Sequence, residues 1–347
     1  MRPLDQVRPE MIHQPATRFA TPGPMAPLSS GDGFMAADDA GLTRGVKDCG
    51  LMFSGQGSQR SGMGYQWYGY PQWEIVGTVS ECTGYDVANL LLHTNDKSLQ
   101  RTDLAQISIF TMSIMAFDYI TEHHMLDNVN AAAGHSLGEF TALVASGALS
   151  LRTGANLVAS RGSAMRDAAR LHPGTMAAIL GAEREAIETI TAHERSGGEQ
   201  VWIANMNGPL QYVISGTSSG VDAVARQAKR LKLKVINIPV GAAFHSPLMA
   251  SARPALRAAL QSAKFDSPTI PVVANVDARP YTAASWSELA ERQLTEPVQW
   301  DSVVNTLVND FNCRQLLEIG PTRVLPRSIG RGSLPKAIHL GYPGDFC

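Results

Sequence analysis

The chain has no marked excess of either charge: its 347 residues include 29 lysines and arginines against 31 aspartates and glutamates, a formal net charge of −2. A nucleic-acid-binding surface normally shows as an excess of basic residues, so this balance argues against a nucleic-acid partner. The N-terminus lacks a basic segment followed by a long apolar stretch, and no uninterrupted apolar run reaches the length of a membrane span. We therefore expect neither a secretory signal nor a membrane partner.

Cysteine is scarce, and its placement excludes two further classes of protein. The four cysteines, Cys49, Cys82, Cys313 and Cys347, are scattered without the short spacings of a zinc site. They do not form the dense pattern of a disulfide framework either, and such usage suits a reducing compartment. We expect a cytoplasmic protein that uses no metal and no other cofactor.

Proline content and apolar periodicity predict how the chain is organised. Residues 1–47 are rich in proline, glycine and serine and show no sustained period, which predicts a disordered leader. Residues 174–243 alternate strand and helix patterns in the order β-α-β-β-α-β, which predicts a small ferredoxin-like subdomain. This subdomain interrupts an α/β-hydrolase-like core formed by residues 48–173 and 244–328, and residues 329–347 are left as a C-terminal tail. The seam between core and subdomain is the expected substrate cleft.

The strongest chemical signal is the pentapeptide Gly134–Gly138 (GHSLG), which follows the apolar run 129–133 and precedes a largely apolar helical stretch. A serine between small residues, where a buried strand turns into a helix, is typical of a nucleophile elbow. Ser136 is therefore the candidate nucleophile. A second G-x-S-x-G surrounds Ser218, but the helix after it is amphipathic and basic, so we interpret Ser218 or Ser219 as a helix N-cap.

A serine hydroxyl needs a base to take its proton, and the chain has nine histidines. His245 differs from the others because it ends the apolar run 238–244 and precedes the helix-start signal at 246–247. This pattern predicts that it lies at the end of a core strand. His135 is adjacent to the nucleophile and should project elsewhere. The residues alone leave His245 as either a catalytic base or a satisfied structural histidine.

An arginine interrupts the apolar face of the helix predicted over 154–169. Arg161 shares that face with Val158 and Met165 at helical spacing. A buried guanidinium is costly unless it meets an anion, and its planar fork suits a carboxylate. Two interpretations stay open: Arg161 pairs with an internal aspartate or glutamate, or it awaits an acidic substrate.

A glycine-rich loop follows the first predicted strand, 51–53. Gly55 and Gly57 begin like a dinucleotide fingerprint, but Arg60 stands where the third glycine would be. The chain also lacks the Gly-Lys-Ser/Thr of a nucleoside-triphosphate loop. We expect this loop to present a backbone N–H beside the nucleophile, where it would form an oxyanion hole together with the N–H of Leu137.

These segments and several others match the motifs of one family in family order, over about residues 49–326. The matching segments are 53–59 (FSGQGSQ), 134–139 (GHSLGE), 161–162 (RG), 174–178 (GTMAA), 243–249 (AFHSPLM), 297–300 (PVQW) and 318–321 (EIGP). In them the chain resembles the malonyl-CoA:acyl carrier protein transacylases and the related acyltransferase domains of polyketide synthases. The resemblance favours the catalytic interpretation of His245 and the substrate interpretation of Arg161.

The resemblance implies a ping-pong transfer of a malonyl or related dicarboxylic acyl group from coenzyme A to the phosphopantetheine thiol of an acyl carrier protein. Ser136 would be the nucleophile and His245 its base. The N–H groups of Gln56 and Leu137 would hold the oxyanion, and Arg161 would bind the free carboxylate. The implied pathway is polyketide or fatty-acid synthesis.

Two further residues take their roles from the resemblance. The main-chain carbonyl of Gln299 would orient His245 in place of an acidic third residue. Phe244 matches the aromatic residue that accompanies malonyl selection in related polyketide acyltransferases, because it crowds the space that an α-alkyl branch needs. The alternative for Phe244 is packing alone. Ser54 departs from the family, in which proline is common at this position.

Two other functions stay open. An acyl hydrolase of the same fold would release acyl groups from carrier proteins to water. Against it, an enzyme that removes neutral acyl chains does not need Arg161 to bind a carboxylate. A non-catalytic module that only docks a carrier protein would have no use for Ser136, His245 or Arg161.

Overall fold

Two β-sheets and the helices around them make up the computed structural model, which describes residues 46–325, 335 and 337–346. The predicted leader, apart from its last two residues, and much of the predicted tail lie outside the described residues. In chain order the strands are β1 (Cys49–Phe53), β2 (Val129–Gly134), β3 (Thr175–Leu180), β4 (Val201–Gly208), β5 (Gln211–Gly216), β6 (Lys234–Ile238), β7 (Val272–Val273), β8 (Gln315–Ile319) and β9 (Ala337–Leu340).

The helices fill the segments between these strands. The α-helices are α1 (Glu74–Thr83), α2 (Val87–Leu92), α3 (Asp96–Leu99), α4 (Thr102–Glu122), α5 (Gly138–Ala145), α6 (Leu151–Leu171), α7 (Arg184–Ser196), α8 (Ser218–Arg230), α9 (Arg253–Gln261), α10 (Trp286–Arg292) and α11 (Trp300–Asn305). Short 3-10 helices cover Tyr65–Trp67, Pro71–Trp73, Pro247–Ala252, Ala283–Ser285 and Pro343–Phe346, and a π-helical turn covers Thr306–Asp310.

The larger sheet is parallel throughout, with the strand order β7-β2-β1-β8-β9. Strand β1 lies at its centre and every one of its residues is buried, as its continuous apolar sequence predicts for a strand covered on both faces. The last residues of β1 and β2, Phe53 and Gly134, are register partners. Because parallel strands end at the same edge of a sheet, the glycine-rich loop after β1 and the GHSLG turn after β2 emerge side by side.

The smaller sheet is antiparallel, with the strand order β4-β5-β3-β6. The chain runs β3-α7-β4-β5-α8-β6, the β-α-β-β-α-β order that the sequence predicts. The interpretation of Ser218 or Ser219 as the N-cap of the second helix was wrong. Helix α8 begins at Ser218, and the cap is Thr217, whose hydroxyl oxygen accepts the N–H of Gly220 at 3.3 Å. The second G-x-S-x-G is thus a helix start.

One of the described helices is as long and as apolar as a membrane span, although the sequence predicted no such run. This helix is α4, and 72% of its apolar window is buried inside the described structure. It packs against α6 and β8 in the main hydrophobic core, through residues such as Phe110 and Met115. The buried polar residues Gln106, Ser108 and Thr111 interrupt its apolar run.

Part of the predicted C-terminal tail belongs to the larger sheet. Residues 337–340 form β9, which pairs in parallel with β8 along Leu316–Ile319. The segment after it packs onto the glycine-rich loop: the hydroxyl of Tyr342 donates to the carbonyl of Pro321 at 2.7 Å, and the guanidinium of Arg60 lies 4.8 Å from the Tyr342 ring centroid. The tail therefore adds an edge strand to the sheet.

Candidate active site

Ser136 lies in a left-handed turn between β2 and α5. Its φ of 53° is uncommon for a residue with a side chain and places the hydroxyl at the top of the turn. The glycines on either side allow the turn to close: a Cβ on Gly134 would lie 1.9 Å from the backbone of Gly138, and a Cβ on Gly138 would lie 2.1 Å from the carbonyl oxygen of Phe53. The N–H of Ser136 donates to Oδ1 of Asn275 at 2.7 Å, which holds the turn in place.

His245 faces the serine, with its Nε2 2.8 Å from the Ser136 Oγ. The expectation that it ends a core strand was wrong: β6 ends at Ile238 in the smaller sheet, and residues 239–246 form a loop. Residues 242–246 of this loop are buried, so their burial and the apolar run before His245 did not distinguish the loop from a strand. His245 itself has a φ of 56° and is 4% exposed.

The carbonyl that orients His245 belongs to Gln293, so the assignment of this role to Gln299 was wrong. Nδ1 of His245 lies 2.8 Å from the Gln293 oxygen, an arrangement in which the ring N–H donates and Nε2 is free to accept the serine proton. Gln299 instead turns its side chain to the carbonyl of Val276. Gln293 lies at the C-terminal end of α10, in a segment without a motif, whereas Gln299 lies in the PVQW segment that suggested it.

Burial keeps His245 neutral. Loss of solvent lowers the pKa of its imidazole to about 3, and the positive charge of Arg161 adds to the effect. At neutral pH the ring is therefore a proton acceptor. A negative charge that develops on the reacting group would favour protonation of the ring.

Arg161 extends from α6 to the same point and is 1% exposed. Its Nη2 donates to Ser136 Oγ at 3.0 Å and to Oε1 of Gln293 at 2.8 Å, and its Nη1 donates to Oε1 of Gln106 at 2.6 Å. Burial lowers the pKa of Arg161 to about 10, so the guanidinium stays charged at neutral pH. Within the described part of the chain its hydrogen bonds go to neutral groups and to no carboxylate, which removes the internal ion pair that the sequence left open.

Gln56 and Leu137 are the two residues expected to hold the oxyanion. Both residues line the cavity that contains Ser136 and His245, and neither N–H donates a hydrogen bond to another described residue. The side chain of Gln56 is held by Thr102, whose hydroxyl donates to Oε1 at 2.9 Å. Their N–H groups are therefore available as donors for an oxyanion that forms in this cavity.

The cavity is small, with a volume of about 110 Å³, and both sheets contribute to its walls. Phe244 lies on its wall and is 8% exposed. Met165 of α6, Met176 of β3 and Ile238 of β6 line it as well. A cavity of this size and lining suits a short acyl group whose one charged end meets Arg161.

His135 lines the same cavity as Ser136, and its ring is hydrogen-bonded to a residue other than the serine. Its Nε2 is hydrogen-bonded to Oδ1 of Asn207 at 2.9 Å, and its ring meets the Trp300 ring edge-on at 5.4 Å. Burial lowers its pKa, so it is a neutral, structurally satisfied side chain in the cavity wall. No group of three or more potential metal ligands occurs among the residues that the structure describes.

Behind the catalytic groups lies a set of buried polar residues that no sequence prediction included: Gln106, Glu139, Asn275 and Gln293. Of these, Glu139 ends the GHSLGE segment, which was the only available signal. The other three come from α4, the loop after β7 and the end of α10, and only the tertiary fold brings them together.

A nucleophilic serine with a neutral histidine and two free N–H donors suits covalent catalysis at an acyl carbon, the chemistry of serine acyltransferases and hydrolases. Comparison with known families favours the first of these classes. The chain belongs to the acyl transferase domain family, whose model matches residues 51–333.

Curated relatives carry more specific names. The chain is 35% identical over 279 residues to the malonyl CoA-acyl carrier protein transacylase of Bacillus subtilis, covering 79% of this chain and 87% of the relative. It is 32% identical to the polyketide biosynthesis malonyl CoA-acyl carrier protein transacylase BaeC of Bacillus velezensis, covering 81% of this chain and 95% of the relative.

Solved structures agree with these relatives. The malonyl-CoA:acyl carrier protein transacylase FabD of Xanthomonas oryzae superposes with a TM-score of 0.81 at 34% identity, covering 87% of this chain and 96% of that one. A malonyl-transacylase solved with a type II polyketide synthase acyl carrier protein gives a TM-score of 0.81 at 29% identity, covering 88% of this chain and 98% of that one. The mixed α/β fold with a parallel and a small antiparallel sheet is thus that of FabD-type enzymes.

Proposed function

We propose that this protein transfers a malonyl group from coenzyme A to the phosphopantetheine thiol of an acyl carrier protein, through an acyl ester on Ser136. The observation that carries the proposal is the contact of Arg161 with the nucleophile: a buried, charged guanidinium that forms no ion pair with a described residue lies 3.0 Å from Ser136 Oγ. A charged donor at this distance can bind a carboxylate at the far end of an acyl group that is short enough for the cavity.

In the first half-reaction the Ser136 oxygen attacks the thioester carbon while its proton passes to Nε2 of His245. The nearby guanidinium of Arg161 favours the developing alkoxide. The tetrahedral oxyanion is stabilised by the N–H groups of Gln56 and Leu137, and one such donor is worth about 3 to 4 kcal/mol in the transition state. The C–S bond then breaks, and the leaving coenzyme A thiolate takes the proton from His245.

The second half-reaction is the reverse of the first with a different thiol. His245 takes the proton of the phosphopantetheine thiol, and the sulfur attacks the ester carbon on Ser136. The same two N–H groups hold the second oxyanion. The C–O bond breaks, the serine oxygen recovers its proton from His245, and the malonyl thioester leaves on the carrier protein.

The names of the relatives support the malonyl group, the carrier protein and a role in polyketide or fatty-acid synthesis. We place the protein in the cytoplasm, which agrees with the free thiols of Cys49, Cys82 and Cys313. The domain division also stays a proposal: a core of residues 48–173 and 244–328 with an inserted subdomain of residues 174–243.

The test is an intact-mass measurement of the purified protein after incubation with malonyl-CoA, before and after addition of holo-acyl carrier protein. We expect an increment of one malonyl group that moves to the carrier protein. In Ser136→Ala the increment should be absent, whereas in Ser218→Ala, which changes the other G-x-S-x-G, it should be retained. An adduct that survives in Ser136→Ala would contradict the assigned nucleophile.

Parallel incubations with acetyl-CoA and with acetyl-carrier protein separate the two remaining functions. An acyl hydrolase would form no lasting malonyl adduct and would release acetate from the carrier protein to water. A docking module would bind the carrier protein and form no adduct with any acyl-CoA. Either result would overturn the transferase.

A further inference from the structure

The side chain of Gln293 lies between a buried arginine and a buried glutamate. Its Oε1 accepts from Arg161 Nη2 at 2.8 Å, and its Nε2 donates to Oε1 of Glu139 at 2.8 Å. All three side chains are buried, with exposures of 0% for Gln293 and 1% for each of the others. The amide of Gln293 thus separates a buried arginine from a buried glutamate, two side chains that form an ion pair when they are in direct contact.

The orientation of the Gln293 amide is fixed by its surroundings. Its Nε2 faces only acceptors: besides Glu139, these are the carbonyl of Ser136 at 3.0 Å and Oδ1 of Asn275 at 3.3 Å. The carbonyl end must therefore face Arg161, because a flipped amide would place its N–H₂ group against a guanidinium, which has no acceptor.

Glu139 is itself held in place by donors. Its second oxygen, Oε2, accepts the backbone N–H of Asn275 at 2.6 Å. Burial raises the pKa of Glu139 to about 8, and the donors together with the charge of Arg161 oppose that rise. At neutral pH a carboxyl group with this pKa is mostly protonated, and Glu139 lies one side chain away from the guanidinium.

The opposite side of Arg161 repeats the arrangement with a second glutamine. Nε2 of Gln106 donates to the Thr102 hydroxyl oxygen at 2.7 Å, and this hydroxyl in turn donates to Gln56, so Oε1 of Gln106 faces Arg161. Arg161 is therefore held by two neutral amide oxygens. Its Nε is buried without a partner among the described residues, which leaves a donor in a side chain that lines the cavity.

We propose that the Gln293 side chain is a positioning residue for substrate selection: it orients Arg161 while keeping Glu139 out of contact, so that the guanidinium charge is reserved for the carboxylate of the substrate. The inference rests on the proposed function, since it concerns the same malonyl transfer. The side chain acts separately from the backbone of the same residue, whose carbonyl orients His245. One residue thus serves the base through its backbone and the carboxylate site through its side chain.

The test is Gln293→Glu, which replaces the amide by a carboxylate of the same shape and leaves the backbone carbonyl in place. The new carboxylate contacts Arg161 and competes with the malonyl carboxylate. We expect kcat/KM for malonyl-CoA loading to fall about 10- to 100-fold, the range of a hydrogen bond to a charged group. Acetyl-CoA lacks the carboxylate, so its loading should fall by a smaller factor, and the ratio of malonyl to acetyl loading should drop.

Two further variants distinguish this selective effect from structural damage. Gln299→Glu makes the same change six residues along, where the side chain bonds to the carbonyl of Val276, and should leave the ratio of malonyl to acetyl loading unchanged. Gln293→Met removes both amide contacts without adding charge. If Gln293 only supports the fold, the apolar Met substitution is the more harmful one; if it keeps a carboxylate away from Arg161, Glu is the more harmful one for malonyl loading.

Failure of the inference and failure of the proposed function give different results. Wild-type protein that forms no malonyl adduct would overturn the proposed function. Wild-type protein that loads malonyl, with Gln293→Glu loading it equally well or losing acetyl loading to the same extent, would overturn the inference alone. If Gln293→Glu does not fold, Gln106→Glu places a carboxylate on the other side of the same guanidinium and should cause the same selective loss of malonyl loading.

Discussion

At the scale of single residues, burial determines what each polar group of the site can do. His245 and Arg161 have nearly the same exposure, 4% and 1%, yet burial produces opposite charge states at neutral pH. The imidazole loses its proton because its ordinary pKa is already close to neutrality, whereas the guanidinium keeps its charge after a comparable loss of solvent. The site therefore holds a neutral base beside a cation, without an acidic third residue in contact with the base.

The lowered pKa of His245 predicts the acid side of the rate profile. Because the folded pKa is about 3, the ring should stay neutral as the pH falls from 7.0 to 5.5, and single-turnover malonyl loading should change by less than about twofold. A histidine with an ordinary pKa would lose about 90% of its neutral form at pH 5.5. A rate that falls with a midpoint near pH 6.5 would contradict this environment.

The same lowered pKa of His245 affects stability. Between pH 6.5 and pH 3 the unfolded chain binds a proton at His245 that the folded protein does not bind, so the free energy of unfolding falls as the pH is lowered through this range.

Phe244 offers a test of acyl-group selection. Its ring lies on the wall of the small cavity, where an α-methyl branch on the acyl group would compete for space. In Phe244→Ala we expect the ratio of methylmalonyl to malonyl loading to rise about tenfold, the low end of the effect of one methyl group in a pocket. Leu231→Ala, an exposed position with 58% exposure, is the control and should not change the ratio. An unchanged ratio in Phe244→Ala would mean that the ring only packs.

At the scale of elements, the elbow depends on the contact between β1, β2 and α5. Gly134 and Gly138 let the backbones of these elements approach more closely than any side chain permits. In Gly134→Ala the new methyl would meet backbone 1.9 Å away, so we expect a loss of more than about 2 kcal/mol of unfolding free energy in urea denaturation. Gly77→Ala is the matched control, because nothing lies within 4 Å of its Cβ and α1 is helical there. Equal stability of the two variants would contradict the close approach.

The same elements show what the sequence could and could not predict. The elbow, the β-α-β-β-α-β subdomain order and the position of Arg161 on a buried helix face depend on short-range periodicity, which a single sequence displays. The loop that carries His245 was predicted as a strand because buried loops and buried strands have the same apolar composition. Gln293 could not be found, because its contacts with Arg161 and Glu139 join positions far apart in the chain, and no local pattern records them.

At the scale of the whole molecule, the two sheets meet at the nucleophile. The larger sheet contributes the turns that carry Gln56 and Ser136, and the smaller sheet contributes Met176 and Ile238 to the same cavity. The site therefore depends on the relative position of the two sheets as well as on the local structure of each element. Ion pairs stabilise the helices beside this junction: Arg253 and Arg257 both contact Glu291, at 2.8 and 2.6 Å.

The C-terminal segment tests how far the stable unit extends beyond the family match, which ends at residue 333. A chain ending at residue 336 loses β9, leaves the edge of β8 unpaired and removes the Gly341 carbonyl that accepts from Trp67 Nε1 at 3.0 Å. Because Trp67 is fully buried, its N–H would lose its partner away from water. We expect the unfolding free energy to fall by about 3 kcal/mol or more, the cost of several lost hydrogen bonds. Gly344→Ala, with nothing within 4 Å of its Cβ, should leave stability unchanged. If the shortened chain unfolds at the same urea concentration as the full chain, the segment is dispensable and the match to residue 333 already spans the stable fold.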